Sequence, residues 1–229
     1  GEAWHVTGVQ RERTYEDLQA VIDDLIRRKV TRPKRVGVMG QSAGGLLAAV
    51  VLNRRPDLLG AAVLRVPLLD QFRMDLAMGT PGSSYAEFGS PQEPEGLAFL
   101  RRTSPFQNLQ RRSDFPPPLI ITAANDQNVF PAQARRYAAK LDQLGMPFYF
   151  YEAAEGGHAA ALTRIEQARL DHTSCILDVG CGTGITSRTF AHRGLQVIGI
   201  DPNERMLDAA RSEGGGVAYR TGSAEQIPL

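Results

Sequence analysis

The sequence predicts an α/β protein built on parallel sheets. Apolar runs of strand length alternate with segments of helical periodicity along the whole chain. Two of the strand-to-helix junctions are rich in glycine, "GQSAGG" and "GCGTG". The alternation also restarts near residue 172, and the second pattern is not a copy of the first, which divides the chain into two unlike parts.

The elements follow in order. Leu18, Val21, Ile22, Leu25 and Ile26 recur at helical spacing and predict a helix over 15–29, with Thr14 as its N-cap. "RVGVMG" reads as a short buried strand, 43–52 as an apolar helix and "AAVLRVPLL" as the next strand. The segment 70–113 is polar and punctuated by glycine and proline, so it is expected to be an insertion or lid. "PPPLIITAAND" gives a turn and a strand, 131–144 a helix stopped by Gly145, and "FYFYEA" a strand. "EGGHAAA" then leads into a helix reaching about residue 170. Beyond it, "CILDVG", "QVIGID" and "VAYRTG" are strands, separated by helices over 185–192 and 203–211.

The totals exclude several classes. A net charge of +1, with the arginines scattered, argues against a nucleic-acid partner. No apolar run approaches the roughly 20 residues needed to cross a bilayer, and no leader-like segment opens the sequence, so no membrane association is expected. Cys175 and Cys181 form no CxxC pair, which fits a reduced, cytoplasmic setting with no disulfide framework. No metal is expected.

Gly40, Ser42 and Gly44 match G-x-S-x-G, with a strand before and a helix after. In such a turn the flanking residues must lack bulk, the serine hydroxyl stands above the sheet, and the N–H of Ala43 faces any developing oxyanion. The serine needs a base and an orienting acid. Asp126 follows the strand "LIITAAN" and His158 follows "FYFYEA", giving the chain order Ser, Asp, His. Each residue alone has a plainer reading. An aspartate after a strand is usually a turn or cap residue, and a lone histidine is usually a surface loop residue, the reading given to His5 and His172. The three together, each after a strand, favour the triad.

The stretches "GEAWH", "GQSAGGLLAAVVLNRRPDLLGAAVLRVPLLD", "YAEFGSP", "SPFQNL", "PPLIITAANDQNV" and "GGH" resemble the catalytic domain of the prolyl oligopeptidase family of serine peptidases. The resemblance spans residues 1 to about 171. It implies an α/β-hydrolase parallel sheet with helices on both faces and a Ser42–Asp126–His158 triad that cleaves short peptides without a cofactor. It also implies Tyr85 and Asn128 near the substrate pocket, Asn128 standing where many members carry arginine. The segment is expected to lack the family's first sheet strands and its propeller, with turnover reduced accordingly. Open sheet edges are expected to favour self-association.

The second glycine loop, "LDVGCGTG", is G-x-G-x-G rather than the dinucleotide G-x-G-x-x-G, and Asp201 ends the following strand where a carboxylate can accept from ribose hydroxyls. "ILDVGCGTG", "VIGIDPNERML" and "GSAEQIPL" resemble the opening of class I methyltransferases. For residues 172–229 this implies a partial Rossmann-like βαβαβ unit and S-adenosylmethionine as cofactor. Asp178, Gly180, Gly182 and Gly184 would line its methionine and ribose side, Asp201 would hold the ribose, and Ser223 and Ala224 would border the adenine. The expected activity is peptide or ester hydrolysis by the first part. The alternatives are a methyltransferase-type binding module and an inactive fusion of two partial enzymes.

Overall fold

Four short apolar strands, β1 (Val36–Gln41), β2 (Leu59–Arg65), β3 (Pro118–Ala123) and β4 (Tyr149–Ala153), form one sheet in sequential order. All three pairings are parallel. They are seen in a computed structural model that describes residues 7–74, 81–158, 175–192 and 194–223. The described residues fall into two units, 7–158 in one and 175–223 in the other. The expected boundary near 171 and the helix expected up to about 170 lie outside the described residues.

Parallel neighbours need crossover connections, and here helices supply them. α2 (Ala43–Arg54) joins β1 to β2, and α6 (Ala132–Gln143) joins β3 to β4. Each crossover steps to the adjacent strand in the same direction, so the right-handed rule places both helices on one face. Val38, Ala62, Leu64 and Ile120 from the sheet meet Ala48, Val51 and Leu52 of α2 and Ala134, Tyr137 and Leu141 of α6 in the main core. Leu119 and Ile121 point to the opposite face and cluster with Val66, Val63 and Tyr151. β3 is therefore buried at all six positions, as a central strand covered on both faces must be. α1 (Glu12–Arg27) lays Tyr15, Val21, Ile22 and Leu25 inward and packs on α2.

Three local expectations change. α1 begins at Glu12, behind a 3-10 turn at Gly8–Arg11, so Thr14 is inside the helix rather than its cap. β2 ends at Arg65 because Val66 turns to φ 37 and Pro67 has no N–H to extend the ladder. The polar segment 70–113 is largely helical: α3 (Pro81–Phe88), α4 (Pro94–Thr103) and α5 (Pro105–Asn108). Pro94 and Pro105 sit in the first turns of α4 and α5, where a missing N–H is harmless. The charges that make the segment read as polar, Glu93, Glu95, Arg101 and Arg102, are exposed. Its Phe88, Phe99 and Leu100 join Tyr15, Leu46, Leu68, Met74 and Val129 in a second buried cluster.

In the second unit, β5 (Cys175–Val179), β6 (Gln196–Asp201) and β7 (Ala218–Thr221) are parallel in sequential order, connected by α7 (Ile185–Ala191) and α8 (Glu204–Ser212). Phe190, Val197, Ile200, Leu207 and Ala210 are buried between them. Asn203 caps α8, its side chain accepting from the Arg205 N–H at 3.1 Å. Among the described residues no helix is long and apolar enough to cross a membrane.

The central position of β3 generates a stability prediction. Ile120 is fully buried, and Ile120→Ala is expected to lower the unfolding free energy by about 2–5 kcal/mol through the cavity it leaves. A urea titration followed by circular dichroism checks this, and a loss under about 1 kcal/mol would contradict the packing described.

Candidate active site

Ser42 occupies the single residue between β1 and α2, with φ 55 and ψ −118. A non-glycine residue in this region is strained and persists only where its surroundings hold it. Its N–H continues the β1–β2 ladder to the Arg65 carbonyl at 2.9 Å, and its own carbonyl accepts the first helical bond from Leu46 at 3.1 Å. The turn is tight enough that a Cβ on Gly40 would lie 2.0 Å from the Gly44 carbonyl oxygen. The other glycine requirement falls at Gly45, whose Cβ would meet Pro67 at 2.8 Å; at Gly44 a Cβ would meet nothing within 4 Å. The bulk restriction expected at Gly44 is thus carried by its neighbour. Ser42 is half-buried and makes no side-chain capping bond to α2. Ala43 opens that helix, so its N–H is among those with no intrahelical partner.

Asp126 and His158 lie beyond the C-terminal ends of β3 and β4, which are adjacent strands. The Asp126 carboxylate is shielded from solvent. Its Oδ1 accepts from the Asn128 and Val129 N–H groups at 2.9 and 3.0 Å, which fixes its orientation. Its Oδ2 lies 2.8 Å from His158 Nδ1. An ionised carboxylate only accepts, so Nδ1 carries the proton and Nε2 is left as the basic nitrogen. The structure joins Asp126 to His158. Among the described residues no hydrogen bond joins the Ser42 hydroxyl to the imidazole. All three residues nonetheless stand at the same edge, because parallel strands end together. Tyr85 is on α3 and half-buried; Asn128 has an exposed side chain and contributes its backbone N–H to Asp126.

In the second unit Gly180, Gly182 and Gly184 all take positive φ, at 79, 54 and 74. A Cβ on Gly180 or Gly182 would meet nothing within 4 Å, so open space lies against the backbone where a ligand can approach closely. Gly184 answers a different need: its Cβ would fall 2.0 Å from the Tyr219 hydroxyl. Asp201 ends β6, with Oδ2 accepting from the Gly182 N–H at 2.9 Å and Oδ1 from the Asn203 N–H at 2.8 Å. Asp178 accepts from the Ser187 hydroxyl at 2.6 Å. Burial pushes the Asp178 carboxyl above the usual carboxylate range; the Ser187 bond opposes this and the Asp201 charge adds to it. Burial, with both carboxylates nearby, pushes the Cys181 thiol up to about 11, so it is no nucleophile at neutral pH. Ser223 follows β7; Ala224 lies outside the described residues.

The sequence reading did not anticipate Gly45, Ser187, Tyr219 or the two amides on Asp126. Ser187 had a signal, since it lies on the first turn of α7 behind the loop that follows Asp178. Tyr219 had none, because only the folded sheet brings it to Gly184.

A sequence model of the prolyl oligopeptidase family matches residues 1–174, and a methyltransferase domain model matches residues 176–229. An uncharacterized peptidase of Sinorhizobium fredii is 46% identical over 171 residues, covering 74% of this chain and 23% of that protein. Prolyl oligopeptidase A of Amanita bisporigera is 30% identical over 180 residues, covering 73% of this chain and 23% of that protein. Among solved structures, a post-proline cleaving enzyme from Rickettsia typhi aligns with a TM-score of 0.62 at 34% identity, over 66% of this chain and 22% of that one. Oligopeptidase B from Leishmania major aligns with a TM-score of 0.62 at 26% identity, over 67% and 22%. The chain spans about a quarter of the length of the curated relatives it matches.

The turn geometry separates two glycines of one motif. Gly40→Ala is expected to destabilise the first unit by about 3 kcal/mol or more, because backbone must move. Gly44→Ala is expected to be neutral or to stabilise by up to about 1 kcal/mol. Chemical denaturation of the two variants checks this, equal effects counting against the turn described. In the second unit, the raised Asp178 pKa means the fold favours the protonated carboxyl. That contribution is fully present below the unfolded carboxylate value and is lost as pH rises through the folded one. Asp178→Asn, which can still accept from Ser187, is expected to flatten this decline in a pH series of thermal melts.

Proposed function

The chain belongs to the prolyl oligopeptidase family, and on that premise we propose that it is a serine peptidase of short peptides whose nucleophile is Ser42. The observation that carries this reading is the 2.8 Å contact between His158 Nδ1 and an Asp126 carboxylate held by two backbone amides. His158 Nε2 takes the proton from the Ser42 hydroxyl as it attacks the scissile carbonyl, and Asp126 stabilises the imidazolium that forms. The Ala43 N–H, at the start of α2, donates to the oxyanion. The proton passes to the leaving amine, and water, activated by the same imidazole, hydrolyses the acyl-enzyme. Tyr85 and Asn128 border the substrate. No cofactor enters these steps.

The second unit supports a separate reading as part of a methyltransferase. The open backbone at Gly180 and Gly182 and the carboxylate of Asp201 suit S-adenosylmethionine, which supplies an electrophilic methyl group when bound. Gly180 and Gly182 let its methionine end approach. Asp201 keeps lone pairs for ribose hydroxyls beyond the two it shares with amides, and Ser223 lies toward the adenine. The two units are then portions of two enzymes carried on one chain.

A serine-directed fluorophosphonate tests the first reading. The adduct is expected on Ser42, absent in Ser42→Ala, and formed about a thousandfold to ten-thousandfold more slowly in Asp126→Asn. Folded wild-type protein that takes no label would reject the activated serine. Calorimetric titration with S-adenosylmethionine tests the second: heat of binding is expected for wild type and not for Asp201→Ala, and no heat for wild type rejects it.

A further inference from the structure

The helical insertion between β2 and β3 is tied at both of its roots to one helix, α6. Gln133, buried on α6, accepts at Oε1 from the Leu69 and Asp70 N–H groups at 2.9 and 2.6 Å and donates from Nε2 to the Asp70 carbonyl at 3.2 Å. One turn on, Arg136 donates to Asp70 Oδ2 at 3.0 Å, while Gln107 of the far root donates to Asp70 Oδ1 at 2.9 Å. The roots also bond to each other. The Phe106 N–H donates to the Leu69 carbonyl at 2.7 Å, the Gln71 N–H to the Ser104 hydroxyl at 3.0 Å, and the Thr103 hydroxyl to Gln71 Oε1 at 3.0 Å. The Arg136 guanidinium lies 4.7 Å from the centre of the Phe106 ring.

The same helix follows directly on the loop of Asp126. Val129 in that loop donates to Asp126 Oδ1 with its N–H and is buried in the same apolar cluster as the insertion's Phe88, Phe99 and Leu100. The acid loop is therefore joined to the insertion twice, by a polar clamp through α6 and by an apolar contact through Val129. The two are not equivalent. An apolar cluster tolerates sliding, whereas charge-assisted and paired hydrogen bonds to a shielded carboxylate fix distance and direction.

We propose that Asp70 and Gln133 are positioning residues, which hold the insertion and its Tyr85-bearing helix at a fixed place relative to the loop of Asp126. The inference rests on the serine peptidase reading for its link to substrate. Neither residue touches the reacting atoms. Their task is to keep the wall of the peptide pocket in register with the nucleophile's proton relay, while Asp126 keeps its own two amide bonds when the clamp is cut.

Two probes separate positioning from plain stabilisation. A small fluorophosphonate needs only Ser42 and its base, whereas a peptidyl phosphonate also needs the pocket wall. In Asp70→Asn the peptidyl probe is expected to label about tenfold more slowly through weaker binding, with the small probe unchanged within about twofold. Gln107→Ala, at an exposed position, is expected to show the same split at about threefold. Hydrogen exchange supplies a readout free of activity: amides over 85–103 exchange faster in Asp70→Asn, while those of Ile120 and Ile121 in β3 do not. Equal slowing of both probes, or wild-type exchange over 85–103, overturns the proposal. A wild type that takes no label refutes the peptidase reading instead, and the exchange result then decides the clamp by itself.

Discussion

A serine held at φ 55 and ψ −118 is the constraint around which the first unit is arranged. Such a backbone costs about 1–3 kcal/mol and reverts unless neighbouring structure over-determines it. Here the over-determination comes from three sides. The β1–β2 ladder fixes the Ser42 N–H, α2 fixes its carbonyl, and the absence of a Cβ at Gly40 and Gly45 lets strand, helix and the Pro67 turn close on one another. The ladder is held because the end of β2 is buried at Leu64 and Arg65 and its other neighbour, β3, is buried throughout, while α2 is fixed by a nearly continuous run of buried residues, Leu46 to Leu52. The apolar core thus does more than stabilise. It supplies the stiffness that holds the Ser42 backbone in a strained conformation.

The second unit places a glycine turn at the same topological point, after its first strand, and solves a different problem. Three glycines take positive φ there, and at Gly180 and Gly182 the backbone itself faces open space. In the first unit only the serine takes positive φ at the turn. Both units collect their polar groups at the C-terminal edge of a parallel sheet, where successive strands end side by side.

Much of this was legible in the sequence. Strand and helix order, the G-x-S-x-G turn and the chain order of Ser42, Asp126 and His158 all depend on local pattern and spacing, which a sequence carries directly. The insertion was not legible as helices because α4 buries only one narrow face, formed by Gly96, Phe99, Leu100 and Thr103, beneath a charged surface. The end of β2 was misjudged because "VPLL" is apolar for another reason: Leu68 and Leu69 are buried in loop conformation between the sheet and the insertion. The exchange of the bulk restriction from Gly44 to Gly45 depends on where Pro67 arrives, which is a tertiary fact.

Two carboxylates near strand ends share a local turn and differ in their partners. Asp126 and Asp201 each accept a backbone N–H two residues further on, from Asn128 and Asn203, so both are oriented by the same local turn. They differ in what meets the other oxygen. At Asp126 it is the His158 imidazole, the contact on which the proposed serine peptidase reading rests. At Asp201 it is the Gly182 amide, so the carboxylate braces the glycine loop. One turn motif therefore sets a carboxylate against an imidazole in the first unit and against a backbone amide of the glycine loop in the second.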